Sequence, residues 1–236
     1  MQARRIRVRL TRTLLENNNR MARILLVDDH DLVREGIGLL LQERGAAAGC
    51  EVVGAVSTAE EALDFVRRNP VDVVFLDLRL PGMSGEEAVR RLLAIRPELR
   101  ILMLSVTSTG PLPRRALNDG AVGYLTKGCS ADEMIRAVRK VMDGGRYISQ
   151  EVAADLVFSD LPGSGEEVAS QLSNRELQIL RLLAEGMTPK EIAGHLNLSP
   201  QTVSTYKKRL NQKLNTRSTV ELLRVAMEYG LIEQPG

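Results

Sequence analysis

Val71-Asp72-Val73-Val74-Phe75-Leu76-Asp77 is an apolar run closed by an aspartate, and the earlier run Ile24-Leu25-Leu26-Val27 is closed by Asp28-Asp29. Parallel strands covered on both faces read as such runs, and in an open α/β sheet the carboxyl ends of the strands hold the ligand site. The two stretches therefore predict three carboxylates at one sheet edge. Gathering them is unfavourable unless a cation joins them or one of them reacts.

Outward from that pair, further runs at 51–56, 100–104 and 122–125 alternate with amphipathic stretches near 32–42, 58–68, 85–95, 111–118 and 131–143. Five βα units predict an α/β domain over 22–144, doubly wound around a five-stranded parallel sheet. Thr58 with Glu61, Ser84 with Glu87, and Ser130 with Glu133 have capping-box spacing at helix starts. After Gly144-Gly145 the pattern weakens, and Leu161-Pro162-Gly163-Ser164-Gly165 marks a linker over 145–170, with room for a short helix near 151–158.

The remainder, 171–236, predicts an all-α domain of four helices. Ser173 and Glu176 form another capping box, with Leu172 and Leu177 spaced as a hydrophobic staple. Gly186 ends that helix, Thr188-Pro189 opens the next, Ser199-Pro200 opens a longer one to about Leu214, and a last helix runs from Ser218 to Tyr229.

Composition narrows the function. The chain has 236 residues, 44% apolar and 26% charged, which suits one or two soluble globular domains. No apolar stretch approaches the ~20 residues that span a bilayer, so no membrane association and a cytoplasmic location are expected. Cys50 and Cys129 form no metal-ligand pattern. Net charge is only +2 but uneven: residues 1–21, a separate N-terminal extension, carry six arginines against Glu16. From Ser199 to Arg217 five cations (Lys207, Lys208, Arg209, Lys213, Arg217) stand without an acid, a local strip suited to nucleic acid.

Asp28-Asp29, Asp77, Pro81-Gly82-Met83-Ser84-Gly85, Ser105 ending the fourth run and Lys127 following the fifth resemble a response-regulator receiver domain. The resemblance implies that Asp77 is the phosphoacceptor. It implies that Asp28, Asp29, Asp77 and the backbone carbonyl of Arg79 hold Mg²⁺. Lys127 and Ser105 would contact the phosphoryl group, and Tyr124 would act as the switch residue. Magnesium fits such a donor set, since it favours oxygen ligands and keeps waters. His30 is read as a solvated turn residue. Gly128 stands where many receivers have proline.

Leu172-Ser173-Asn174-Arg175-Glu176, Gly186-Met187-Thr188-Pro189-Lys190-Glu191-Ile192-Ala193 and Leu198-Ser199-Pro200-Gln201-Thr202-Val203 resemble the LuxR-type helix-turn-helix of the NarL/FixJ family. That resemblance implies that Ser204, Thr205 and Lys208 face base edges, with Gln201, Lys207 and Arg209 on phosphates. Val203, Leu210 and Leu214 pack inward at helical spacing. Gly123-Tyr124-Leu125-Thr126-Lys127-Gly128 and Gly145-Arg146-Tyr147-Ile148-Ser149 are most similar to the GacA/UvrY type. The implied protein is not an enzyme but a transcription regulator, phosphorylated by a sensor histidine kinase, binding promoter DNA as a homodimer, working with RNA polymerase and activating small regulatory RNA genes.

Two rivals compete. An aspartyl-phosphate hydrolase would need a second aspartate two residues after Asp77, where this chain has Arg79. A ligand-sensing LuxR-type regulator would need an apolar pocket, typically aromatic-rich, and this chain has no Trp and 3% aromatic residues.

Overall fold

The computed structural model describes residues 21–106, 111–158, 168, 171–228 and 231–232. Its first part runs β1 (Ala22–Val27), α1 (Asp31–Ala48), β2 (Cys50–Val56), α2 (Ala59–Arg68), β3 (Val73–Asp77), α3 (Gly85–Ile95), β4 (Arg100–Ser105), α4 (Pro111–Asn118), β5 (Gly123–Thr126) and α5 (Ala131–Met142). With β6 (Tyr147–Ile148), all strands are parallel, in the order β2-β1-β3-β4-β5-β6. The order reverses between β1 and β3, so the loops after these strands diverge and leave a crevice at their carboxyl ends. Val27 pairs with Leu76 in register, which puts Asp28 and Asp77 next along.

The sheet has six strands, not the five expected. Tyr147–Ile148 forms β6 beside Gly123–Tyr124, inside the segment read as linker. Two residues are too few for a periodicity to show. Tyr147 N donates to Val122 O at 3.1 Å and Ser149 N to Tyr124 O at 3.0 Å, covering the edge of β5. Gly123 permits this approach: a Cβ there would lie 2.4 Å from the Tyr147 carbonyl oxygen. α6 (Gln150–Phe158) follows at once.

Side chains alternate across the sheet as the pleat requires. Val73 and Phe75 pack with Ile24, Leu26, Leu102 and Leu104 under α1 and α5. Val74 and Leu76 pack with Leu25, Ile101 and Met103 on the other face. That second cluster continues through Leu112 and Val152 into Leu172, Leu177 and Ile179, so the two parts of the chain share apolar contact.

Helix ends follow the expected caps with two differences. Thr58 and Ser173 form complete capping boxes, as does Thr188 with Glu191. Ser84 and Ser130 accept the backbone N–H of Glu87 and Glu133. Those two glutamates turn elsewhere, Glu87 to Arg91 and Glu133 to the Tyr147 hydroxyl. α1 extends beyond 42 to Ala48, through an alanine run that favours helix, and ends at Gly49 with φ +77°.

The C-terminal helices are α7 (Asn174–Ala184), α8 (Pro189–His195), α9 (Pro200–Lys213) and α10 (Thr219–Glu228). No described helix is long and apolar enough to cross a membrane. The arginine-rich residues 1–20, the Leu161–Gly165 breakers and Tyr229 lie outside the described residues.

Candidate functional site

β1 and β3 deliver their carboxylates to the crevice as the sequence predicts. Asp28 and Asp77 are buried, and Lys127, from the loop after β5, reaches between them, with Nζ 2.7 Å from Asp77 Oδ2 and 2.6 Å from Asp28 Oδ2. The backbone N–H of Arg79 donates to Asp77 Oδ1 at 3.1 Å. Ligand atoms of Asp28, Asp29, His30 and Asp77 all lie within 4.8 Å of one another. Asp28 Oδ2 is buried with the Lys127 ammonium as its near partner, and Asp29 Oδ1, also buried, lies 2.8 Å from His30 Nδ1. One ammonium between two buried carboxylates, with a third beside them, leaves a surplus of negative charge that a further cation would offset.

Burial pushes the Asp77 carboxyl up, and the Lys127 ammonium offsets only part of that. For Lys127 burial alone would lower the pKa, but its bonds to Asp28 and Asp77 prevail and raise it. The ammonium is therefore charged. His30, read as a solvated turn residue, is exposed at 62% of its side chain yet turns Nδ1 toward the acidic pair.

Ser105 ends β4 in the register Ser105↔Thr126, and Tyr124 pairs with Met103 two positions before, on the same face of the sheet. Both are fully buried. Burial raises the Tyr124 phenol to about 12, and its hydrogen bond with Ser105 works against that shift. Tyr124 thus lies inside the fold, in contact with the residue at the strand end beside Asp77.

α9 buries Val203 and Leu210, with Leu214 packed just past its end. The opposite side exposes Gln201, Ser204, Thr205, Lys208 and Arg209, with Lys207 half-buried. Ser204 and Thr205 bond back to the carbonyls of Pro200 and Gln201, and Arg209 lies over the Tyr206 ring at 5.7 Å. Lys213 leaves the basic strip: its Nζ bonds Glu176 Oε2 at 2.6 Å and Gln171 O at 2.8 Å, tying α9 to α7.

A model of the response regulator receiver domain matches residues 24–139, and one of luxR-family bacterial regulatory proteins matches 170–226. Response regulator UvrY of Escherichia coli (strain K12) is 41% identical over 212 residues, 89% of this chain and 96% of that protein. The chain belongs to the LuxR-type response regulators. Response regulator GacA of Pseudomonas aeruginosa is 38% identical over 90% of this chain and 99% of that protein. A solved LuxR-family two-component response regulator from Aurantimonas sp. is 34% identical, covering 59% of this chain and 97% of that one at a TM-score of 0.55. The Salmonella typhimurium RcsB response regulator shares the fold over 89% of this chain and 98% of its own, with a TM-score of 0.65 at 23% identity.

In this response regulator the output helices pack beside the acidic crevice. Arg175 of α7 donates to Gly82 O at 2.7 Å and to Leu196 O at 3.0 Å, and Gly82 N donates to His195 O at 3.1 Å. Arg115 of α4 bonds Asn174 Oδ1 at 2.9 Å and Leu172 O at 2.8 Å. Burial lowers the Arg181 guanidinium to about 10 against the opposing effect of Glu86, a buried carboxylate on α3. A cavity of about 340 Å³ remains between the two parts, lined from Asp29 and Arg79 to Glu185 and His195. The sequence reading missed Glu86, Arg115, Arg175 and Arg181. The surplus of half-buried arginines meeting carbonyls has no periodic signature, so no local signal could have found them.

Proposed function

We propose that Asp77 accepts a phosphoryl group from a sensor histidine kinase and that the phosphorylated regulator, as a homodimer, binds promoter DNA through α9. One observation supports this above the rest: a buried Asp77 gripped by Lys127 beside two further carboxylates, those of Asp28 and Asp29. The carboxylate oxygen of Asp77 forms the new bond to phosphorus, while the bond to the donor breaks and the leaving group departs with its electron pair. Lys127 pairs with a phosphoryl oxygen, Ser105 donates to another, and the Arg79 N–H orients Asp77. Tyr124 then reports the change through Ser105.

Asp28, Asp29, Asp77 and the carbonyl of Arg79 would hold Mg²⁺, a fit supported by the surplus of negative charge where three carboxylates gather beside one lysine. Bound there, the metal supplies charge neutralisation for the transfer. The receiver is assigned to 22–144, the linker to 145–170 with β6 and α6 inside it, and the output domain to 171–236. Ser204, Thr205 and Lys208 read bases, and Gln201, Lys207 and Arg209 hold phosphates; exposure of most of this face supports the assignment. Transcription control places the regulator in the cytoplasm with RNA polymerase, and similarity to UvrY and GacA supports small regulatory RNA genes as targets.

The test is fluorescence anisotropy of a promoter duplex from a small regulatory RNA gene, titrated with the wild type and Asp77→Asn, with and without acetyl phosphate. Tightening in the wild type alone supports the proposal. An equal response from Asp77→Asn removes the phosphoacceptor assignment.

A further inference from the structure

At the sheet edge opposite Asp77, where β1, β3 and β4 begin, a cavity of about 440 Å³ is lined by Arg23, Arg67, Arg68, Arg96 and Arg100. Asp72 and Glu98 are the acids in its wall. Carboxylates neutralise two of the five cations: Arg23 grips Asp72 through Nε and Nη2, both at 2.9 Å, and Arg67 meets Asp64 at 2.8 Å. Asp72 is thereby engaged.

The other three lack a carboxylate partner among the described residues. Arg96 donates to Val66 O, Asn69 O and Val71 O at 2.7, 3.2 and 3.3 Å. Arg100 donates to Val141 O at 2.8 Å and to Glu98 O at 3.4 Å. These contacts cap the ends of α2 and α5, which is a sufficient structural reason for two arginines. A carbonyl accepts a hydrogen bond but carries no net charge, and a helix end offers only about half a charge. Pinning also fixes the guanidinium groups in place before any ligand arrives, which lowers the cost of binding. Arg68, exposed beside them in the last turn of α2, adds a cation with no hydrogen bond or ion pair among the described residues.

Guanidinium forks match the oxygens of phosphoryl groups, and several held around one cavity favour linked phosphoryl groups over a single one. No aromatic side chain lines the cavity, so a nucleobase would find no stacking platform. We propose that this cavity binds a condensed phosphate, the linked phosphoryl chain carried by nucleoside polyphosphates and by inorganic polyphosphate. The site is separate from the Asp77 crevice and does not depend on its chemistry.

The experiment is isothermal titration of the full chain with inorganic tripolyphosphate, ATP and orthophosphate, in EDTA and at about 0.15 M salt to screen loose attraction. Tripolyphosphate is expected to bind saturably at one site, about tenfold or more tighter than orthophosphate. Arg68→Glu, at an exposed position where folding is not at stake, is expected to weaken it about tenfold or more, and Arg100→Gln to act in the same direction. Asp77 phosphorylation should be unchanged in Arg68→Glu. ATP matching tripolyphosphate supports a nucleotide source, and ATP lagging supports an inorganic chain. Absent binding, parity with orthophosphate, or wild-type affinity in Arg68→Glu overturns the proposal. So does binding that survives Arg68→Glu but disappears on removal of residues 1–20 or in Lys208→Ala.

Discussion

The Arg175 guanidinium, on the first output helix, donates to the Gly82 carbonyl at 2.7 Å, bridging residues 93 apart in the chain. Gly82 lies on the loop from β3 to α3, which begins directly after Asp77 and carries the Arg79 carbonyl. One loop therefore serves both the acidic crevice and the docked output domain. Any change at Asp77 that moves this loop alters docking, and by linkage docking alters the chemistry at Asp77.

Arg175→Ala should loosen docking. It removes hydrogen bonds from a charged donor, a loss of about 2 kcal/mol in the docking equilibrium. Hydrogen–deuterium exchange at the Gly82 N–H, bonded to His195 O, should speed up while exchange in β1 and β3 stays unchanged. Unaltered exchange at Gly82 would show that docking does not depend on Arg175.

Lys127→Ala leaves Asp28 and Asp77 buried without their cation. Breaking such a buried charge contact should destabilise the receiver by about 3 kcal/mol, read as a lower urea midpoint. It should also push the Asp77 carboxyl further above its usual range, since Lys127 is the largest of the influences that now hold it down. A wild-type midpoint would contradict this reading.

Added Mg²⁺ should stabilise the chain if the clustered carboxylates of Asp28, Asp29 and Asp77 receive it. At ten times its Kd a bound ion contributes about 1.4 kcal/mol, a rise of a few degrees in Tm. EDTA should reverse the rise, and Asp28→Asn with Asp29→Asn should remove it. An equal rise in the double variant would place the ion elsewhere.

Glu176 predicts a loss of output-domain stability in acid. Burial alone would raise its pKa, but the Lys213 ammonium and the N–H and hydroxyl of Ser173 prevail and lower it. A folded-state pKa below the unfolded value gives stabilisation that is full above the unfolded carboxylate range and lost as pH falls through the folded value. The apparent Tm should therefore drop below about pH 4.5, and Glu176→Gln should flatten that dependence while lowering Tm at neutral pH. A parallel drop in the variant would assign the acid sensitivity to other carboxylates.

Lys208→Ala separates base reading from phosphate contact. A base-reading lysine contributes about 1–3 kcal/mol to discrimination, so its loss should bring affinities for matched and mismatched duplexes closer together. Lys207→Ala and Arg209→Ala should weaken both duplexes alike and reduce the salt slope. Uniform weakening by Lys208→Ala would move that residue to the phosphate group.

The sheet and the acidic crevice were legible because they rest on local patterns. Buried parallel strands leave apolar runs, and a run ending in aspartate places that aspartate at the crevice; Asp28, Asp77 and Lys127 converge accordingly. Helix starts were legible at Thr58 and Ser173, where the cap is a short-range bond. At Ser84 and Ser130 the glutamates found better partners in space, which spacing alone does not encode. β6 was hidden by its two-residue length and revealed only by the room Gly123 leaves for it. Lys213 looked like part of a DNA-facing strip and instead caps the buried carboxylate of Glu176, because helical phase turns it away from Lys208. Docking through Arg115, Arg175 and Glu86 depends on distant backbone carbonyls and shared burial, which a single sequence does not display.

Whether Asp77 takes the phosphoryl group is read from intact mass after incubation with acetyl phosphate and Mg²⁺. One added phosphoryl group is expected in the wild type, dependent on the metal and absent from Asp77→Asn. An adduct of equal yield in Asp77→Asn, or one that forms equally in EDTA, would contradict it.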